Sequence, residues 1–403
     1  MSNKSSVVII GAGVVGSILA LELAKLGLKI SIIDKRPLML DFNPSFDHRT
    51  IAIAAEVHAR LIKYEVWDKI SDQVGKIEQI RITDNDSPLY LHFNSKDVSC
   101  SPLGYMVDNT LLIHTVNKMV SENKNITFIN EEVKDAQYTD CKAIVITENH
   151  TIEADLGIIA DGKFSKTREH FGFEVKDKDY GETAIVFKIR HEKPHLSTAW
   201  EKFYPSGAFA VLPMNDPNVS GIVWMEKPET AKAIVKQDIS LIKEFFMQKM
   251  GDCLGENEII TVPYCYPLTL KYAKKSSITR FVLAGDSLHS IHPIAGQGLN
   301  LSLLDCDILI DIIKEASNLG MDIGSASVTE KYHTSIKFDD MSMIYITDII
   351  DKVFKVNFPP FTLMRKIGLA SINKISILKA FMMNYAMGKR NDQWTRSPAD
   401  IRH

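Results

Sequence analysis

Residues 7–34, VVIIGAGVVGSILALELAKLGLKISIID, decide the fold. The run Val7, Val8, Ile9, Ile10 is apolar without interruption, the pattern of a strand buried on both faces in a parallel sheet. Gly11, Gly13 and Gly16 follow at once, and Ile18, Leu19, Leu21, Leu23 and Leu26 then recur at helical spacing up to Gly27. A second apolar run over residues 29–33 ends in Asp34. Strand, GxGxxG, helix, strand and acid form the dinucleotide-binding fingerprint in its required context. The first glycine permits a tight turn, the second lets backbone approach a pyrophosphate, the third allows close helix–strand packing, and the acid can hold a ribose diol. Asp34 speaks against a 2′-phosphate on that ribose, and Lys35 and Arg36 read as a solvated strand end.

Two further stretches repeat the theme of a buried strand ending in Gly and Asp. Residues 156–160, LGIIA, run into Asp161-Gly162, with Ser165 and Arg168 at short spacing on an expected helix start. Residues 280–305, RFVLAGDSLHSIHPIAGQGLNLSLLD, give a short strand that breaks at Gly285-Asp286. A loop rich in His, Pro and Gly follows, and a helix opens near Gly298-Leu299 with Leu299, Leu303, Leu304, Ile308 and Ile312 on one face. Asp286 can accept hydrogen bonds from ligand hydroxyls, and free N–H groups at the helix start can stabilise negative charge. A tight turn with an ordinary cap would explain this stretch alone. Three strand ends converging on one ligand, outside the carboxyl ends of a parallel sheet, is the stronger reading.

The segments between them differ in character. Asp47-His48-Arg49-Thr50 precedes a helical pattern expected to run through Leu61, and an Arg there can pair with a pyrophosphate as a planar fork. Residues 75–94 alternate like two or three strands of a different sheet, and 104–109 lead into a helix bearing Leu111, Leu112, Thr115 and Met119. From 172 to 270 most runs alternate, with one helix over Ile239–Met250, so a mostly antiparallel sheet is expected, joined by the early strands. Trp200, Phe203, Tyr204, Phe209 and Trp224 are either sheet core or the lining of an apolar pocket. A long helix is expected over 328–354, broken by Pro359-Pro360. Ile372, Ile375, Leu378, Met382 and Tyr385 then form a stripe beside Lys374 and Lys379.

Composition bounds the class. A chain of 403 residues exceeds one compact core, and 45% hydrophobic with 24% charged residues describes a folded protein. A net charge of −3 gives no case for nucleic acid. Residues 352–403 nevertheless carry ten Lys/Arg against only Asp392 and Asp400, an asymmetry that suggests docking on an anionic membrane surface or on a partner. The five cysteines, Cys100, Cys141, Cys253, Cys265 and Cys306, are scattered with no CxxC pair, against a disulfide framework or zinc site and in keeping with a reducing compartment. No secretory signal and no uncharged apolar run of membrane-spanning length is read, so the expected location is cytoplasmic, with the C-terminal region as the candidate contact to the inner face of the cell membrane.

Taken together, these motifs resemble the flavin-dependent aromatic hydroxylases, in the branch that hydroxylates ubiquinone precursors, over nearly the whole chain. The resemblance rests on Gly11 to Gly16 with Asp34; on Asp47-His48-Arg49; on Asp161-Gly162 with Ser165 and Arg168; and on Gly285-Asp286 through His289, Pro293, Gly296-Gln297-Gly298 and residues 300–305. The 285–305 stretch is the most specific, and residues 180–213 and 384–388 also look like that branch. Two departures stand out: Asp34 where such flavoproteins usually have Glu, and Lys337 where the family commonly has Arg ahead of Asp340.

The resemblance implies an α/β fold: a Rossmann-like FAD-binding domain (1–74, 100–171 and 271–345), an inserted mostly antiparallel β-sheet substrate domain (75–99 and 172–270) and a C-terminal basic helical region (346–403). It implies FAD with its adenosine end at Gly11, Gly13, Gly16 and Asp34, and Arg49 and Asn109 at positions that touch the diphosphate and ribityl region. Asp286 after Gly285 matches the ribityl-binding acid, and Gly298, Leu299 and Asn300 match the backbone beside the flavin's pyrimidine edge. Pro293, Gly296 and Gln297 match the loop bordering the reacting face. Asp161 and Arg168 match positions near a nicotinamide site that has no fingerprint of its own. The implied chemistry is hydroxylation of a polyprenylated phenol by a flavin hydroperoxide, with O2 as oxidant, NADPH or another donor as reductant, and a ubiquinone-biosynthesis complex as a candidate partner. His289 and His292 are candidate proton shuttles, although a His beside a Gly/Pro turn is more often structural; no catalytic side chain is singled out. Three alternatives stay open: a flavin hydroxylase of a soluble phenol, a nicotinamide-dependent dehydrogenase, and a non-catalytic flavoprotein scaffold.

Overall fold

A computed structural model describes residues 2–355 except 44–45, 86, 88–89, 98–101 and 293–295. Pro293 and the basic stripe beyond Pro359 therefore lie outside the described residues.

The six-stranded sheet has Val7–Ile10 near its middle. Ile30–Ile33 and Ile126–Ile129 follow on one side, Leu156–Ile159 and Phe281–Leu283 on the other, and Ser277–Ile278 closes the edge as an antiparallel hairpin. The longer pairings are parallel and in step: Ile10 lies level with Ile33 and with Ile159, which lies level with Leu283. Every residue of Val7–Ile10, Ile30–Ile33 and Leu156–Ile159 is buried, as continuous apolar runs require when both faces are covered. The helix Val14–Lys25 packs against Asn109–Glu122 and against Gln297–Asn318. Phe281 owes its place to Gly157: a Cβ there would stand 2.2 Å from the ring.

The larger sheet is built on the 17-residue strand Val175–His191, which pairs antiparallel with Val219–Glu226 and Tyr264–Ala273. Its order continues through Gly207–Pro213 and Thr198–Tyr204 to Gln79–Asp84 and Tyr90–Asn94, with Gln79–Asp84 joining Thr198–Tyr204 in parallel. Successive side chains alternate between faces. One face, with Ile185, Phe187, Phe209 and Trp224, is buried under Phe246 of the helix Ile239–Met250. The other carries Ala184, Val186, Phe203, Ala208 and Met225, with Leu268 beside them.

The helix expected from Thr50 begins later. Thr50–Ala54 is a strand paired with Gly104–Asp108, which pairs in turn with Gly75–Ile77, and the helix runs over Ala55–Lys63. No side-chain cap marks that helix start. The Ala54 N–H instead donates to Asn300 Oδ1 at 3.0 Å, a partner 246 residues away.

Candidate active-site cavity

The parallel strands open one crevice between their carboxyl ends. Gly11 turns sharply out of the first strand with φ +109°, and a Cβ on it would lie 2.3 Å from the Ala160 carbonyl oxygen. Only glycine fits a turn of that hand at that separation. A Cβ on Gly16 would meet the Gly11 carbonyl oxygen at 2.0 Å, which presses the helix onto the strand. A Cβ on Gly13 would meet nothing within 4 Å. The helix Val14–Lys25 begins there with no side-chain cap and no acid in its first turn, so its first N–H groups face the crevice uncompensated. Asp34 is fixed by backbone: Ala12 N–H donates to Oδ2 and Arg36 N–H to Oδ1, each at 2.9 Å. One donor per oxygen leaves acceptor capacity for a diol.

Asp47 organises the next stretch. Arg49 donates to it through Nε at 2.9 Å and Nη2 at 2.5 Å, Asn109 Nδ2 at 2.6 Å and Tyr266 Oη at 3.3 Å. Burial works against the charge, yet these donors, Arg49 foremost, hold the Asp47 carboxyl below the usual range. The Arg49 guanidinium also sits 5.3 Å from the Tyr266 ring centre. The network thus joins the loop before Thr50, the helix Asn109–Glu122 and the large sheet.

At the third strand end, Asp286 is open to the cavity yet deep enough that burial raises its pKa, with Arg49, His289 and Lys163 pulling the other way. Arg168, expected near a nicotinamide site, is instead 1% exposed and spends its guanidinium on the Ser287 carbonyl at 2.7 Å and the Lys163 carbonyl at 3.0 Å. It ties the second strand-end loop to the third. The two histidines read as candidate shuttles are also buried and paired. His289 Nε2 lies 2.6 Å from Asp305 and 3.7 Å from Asp340; burial would lower its pKa, but the two carboxylates raise it to about 9. His292 Nε2 lies 3.1 Å from Glu182.

Gly296 adopts φ +64°, a left-handed turn that opens the helix Gln297–Asn318, and a Cβ there would stand 2.9 Å from Ala52 Cβ. That helix also starts without a side-chain cap or an acid in its first turn. Asn300, two residues past Gly298, spends its side chain on backbone groups. It accepts from Ala54 N–H and donates to the carbonyls of Ala52 at 2.8 Å and Gly296 at 2.9 Å, bolting strand to helix start.

A single cavity of about 1000 Å³ collects these features. Of the residues predicted to hold cofactor, its wall includes Gly11, Gly13, Asp34, Arg49, Asn109, Asp161, Gly285, Asp286, Gly296, Gly298, Leu299 and Asn300. Gly16 acts behind the wall, through packing, and Pro293 lies outside the described residues. The cavity then continues over the large sheet, past Ile80, Ile82, Val186, Ala210, Leu212 and Val223. Within this apolar half, Glu201 on Thr198–Tyr204 is the charged residue that faces in. Reading that strand through its aromatics alone does not single Glu201 out. The available signal is a carboxylate in step with Ala199 and Phe203 on one strand face.

The donor set fits FAD. An acid holds one end, two uncapped helix starts and Arg49 can meet negative charge, and Gly13, Gly162 and Gly298 leave room where any side chain would enter the cavity's edge, since a Cβ on each meets nothing within 4 Å.

Comparison with known proteins agrees. Residues 4–322 match the family described as FAD binding domain. The chain is similar to ubiquinone hydroxylase UbiL of Rhodospirillum rubrum, at 31% identity over 95% of this chain and 90% of that protein. It is also similar to 3-demethoxyubiquinol 3-hydroxylase of Escherichia coli, at 27% identity over 96% of this chain and 100% of that one. The fold is shared with p-nitrophenol 4-monooxygenase PnpA of Pseudomonas putida, with a TM-score of 0.80 at 16% identity, covering 97% of this chain and 100% of that chain. On the strength of this match and of the cavity, the chain belongs to the FAD-binding monooxygenase family that includes the ubiquinone hydroxylases.

Proposed function

We propose that this protein is an FAD-dependent monooxygenase that hydroxylates the aromatic ring of a polyprenylated phenol in ubiquinone biosynthesis. The observation that carries the reading is the continuity of the cavity, from the dinucleotide end to an apolar sheet face. In this reading Asp34 holds the adenosine ribose, the N–H groups after Gly13 and Arg49 meet the diphosphate, and Asn109 and Asp286 serve the ribityl region. The N–H groups at Gly298, Leu299 and Asn300 stabilise negative charge at the pyrimidine edge, as an uncapped helix start does. Pro293 and Gly296 border the reacting face, and Asp161 lies near the approach of NADPH or another donor. When bound and reduced, the flavin supplies activation of O2 and transfer of one oxygen atom to the ring. The sheet face supplies a dry wall: Ile77, Ile80, Phe93, Leu103 and Leu212 offer an apolar path suited to a prenyl tail.

A lipid-tailed substrate resides in a bilayer. Among the described residues no helix is long and apolar enough to cross a membrane. Contact with the inner face of the cell membrane, or with a ubiquinone-biosynthesis complex, is assigned here to the basic C-terminal region, whose charge motivates it. Removing the residues after Pro359 should weaken binding to anionic liposomes, and unchanged binding by a folded truncation would remove that assignment.

The functional test supplies FAD, NADPH, isotope-labelled O2 and alkylphenols with and without a prenyl tail. The expected product carries one labelled oxygen on the ring, formed with higher kcat/KM when the tail is present. Equal turnover of the tail-less phenol would point to a soluble substrate, and reduced cofactor consumed with no label in any ring would contradict hydroxylation.

A further inference from the structure

Glu201 is the charged group in the apolar half of the cavity. Strand register puts Ile82 on one side of it and Ala210 on the other, with Val223 beyond Ala210 and Val186 beyond Val223. All four neighbours are aliphatic and line the same cavity. Ala199 and Phe203 precede and follow Glu201 on its face of the strand, and both are buried. Among the described residues Glu201 has no hydrogen-bond or ion-pair partner. A lone carboxylate is expensive in such a place, and ionisable groups perturbed by burial in a cleft cluster at functional sites.

The strand positions directly beside Glu201 bring no second charge. The titratable groups on the same sheet face are Asp84, at the level of Phe203; Lys188, paired with Asp108; Glu182, paired with His292; Arg190, paired with Asp216; and Tyr264 and Tyr266; Arg49 and Asp286 line the far end of the cavity. The helix Ala326–Lys355, which touches this strand, presents Asp348, itself paired with Lys178 and Lys352. Burial alone pushes the Glu201 carboxyl up to about 7. A base poised near neutrality is suited to proton transfer in the working pH range.

We infer that Glu201 is the substrate-facing base of this enzyme: its carboxylate accepts the hydrogen bond of the substrate's phenolic hydroxyl and takes that proton as the ring is hydroxylated. The inference rests on the hydroxylase reading above. The O–H bond breaks toward a Glu201 oxygen, and its electron pair stays on the substrate, where it is delocalised onto the ring carbon that accepts oxygen. After oxygen transfer that carbon loses its own proton to solvent, which balances the proton taken up as the second oxygen atom of O2 leaves as water, and Glu201 returns the first proton to the original phenolic oxygen. The carboxylate is regenerated and itself exchanges no electrons.

The test uses the FAD-loaded full chain and Glu201→Gln, which keeps size and polarity and cannot take the proton. The variant is expected to hold FAD as the wild type does and to lose about 10²–10⁴-fold in kcat, with a much smaller change in KM. In the wild type kcat/KM should fall as pH drops through about 7, and this limb should be absent from the variant. A second measurement needs no variant: a substrate whose ring hydroxyl is methylated should bind to the wild type and fail to react. A Glu201→Gln enzyme that hydroxylates at the wild-type rate with the acid limb intact would overturn the role of Glu201 while leaving the hydroxylase reading in place, as would equal turnover of the methylated substrate. A wild type that hydroxylates no phenol would overturn both.

Discussion

Two glycines two residues apart should respond to the same change in opposite ways. In Gly11→Ala the new Cβ must occupy space 2.3 Å from the Ala160 oxygen and 2.6 Å from its carbonyl carbon, with φ at +109°. The hand of the backbone costs at least about 1–2 kcal/mol, and relieving the clash by parting two buried strands adds about 1–3 kcal/mol. The sum, about 2–5 kcal/mol, is a large share of a typical folding free energy of about 5–15 kcal/mol. The apoprotein should therefore melt well below wild type. In Gly13→Ala the new Cβ meets nothing within 4 Å and φ is −70°, which alanine adopts freely. The apoprotein should lose only the difference between glycine and alanine at a helix N-cap, about 0.5–1 kcal/mol. The methyl group instead stands where the cofactor's diphosphate is placed. A misfit of about 1–3 kcal/mol there weakens FAD binding about 5- to 150-fold. Thermal unfolding of both apoproteins, with FAD titration followed by flavin fluorescence, separates the effects. A Gly13→Ala protein with unchanged FAD affinity, or one as destabilised as Gly11→Ala, would refute the placement of the diphosphate.

Other substitutions test the supports of the site. His289→Ala removes the cation from between Asp305 and Asp340, and breaking a buried pair in this way should cost about 3–5 kcal/mol, read as a drop in thermal midpoint. His289 has a folded pKa raised from 6.5 to about 9, so its contribution is full below pH 6.5 and is lost as pH rises through about 9; wild-type stability should decline over that window, and the decline should be shallower in His289→Ala. Asn300→Ala leaves the Ala54 N–H and the Ala52 carbonyl without their side-chain partner, at about 1–3 kcal/mol each, and should raise protease cleavage near residues 50–54 before it changes global melting. Asp34→Ala removes both the Ala12 anchor and the ribose acceptor, so FAD affinity should fall about tenfold or more, with small effect on the apoprotein's melting.

The three strand ends were legible because their signals are local. Each is a continuous apolar run closed by glycine, with Asp beside the glycine after the second and third, and burial on both faces suits such a run. Thr50–Ala54 was not legible as a strand: its pairing with Gly104–Asp108 and its clasp by Asn300 join residues far apart in sequence, and nothing nearby separates it from the helix that follows. Arg168 was placed near a nicotinamide site by resemblance alone; its hydrogen bonds to the Ser287 and Lys163 carbonyls appear only once the loops are placed. Glu201 was hidden by symmetry. Along TAWEKFY both faces carry one charge and aromatic bulk, so alternation alone does not say which face looks into the cavity and which lies under the helix Ile239–Met250.

The central claim is that one cavity holds flavin at one end and the phenol at the other. The most direct measurement is the visible absorption spectrum of the protein after FAD loading and gel filtration, followed on titration with a prenylated phenol. The account predicts flavin bands that travel with the protein and shift as the phenol binds, in proportion to its occupancy. A folded protein that retains no flavin, or one whose flavin bands stay fixed at saturating phenol, would contradict it.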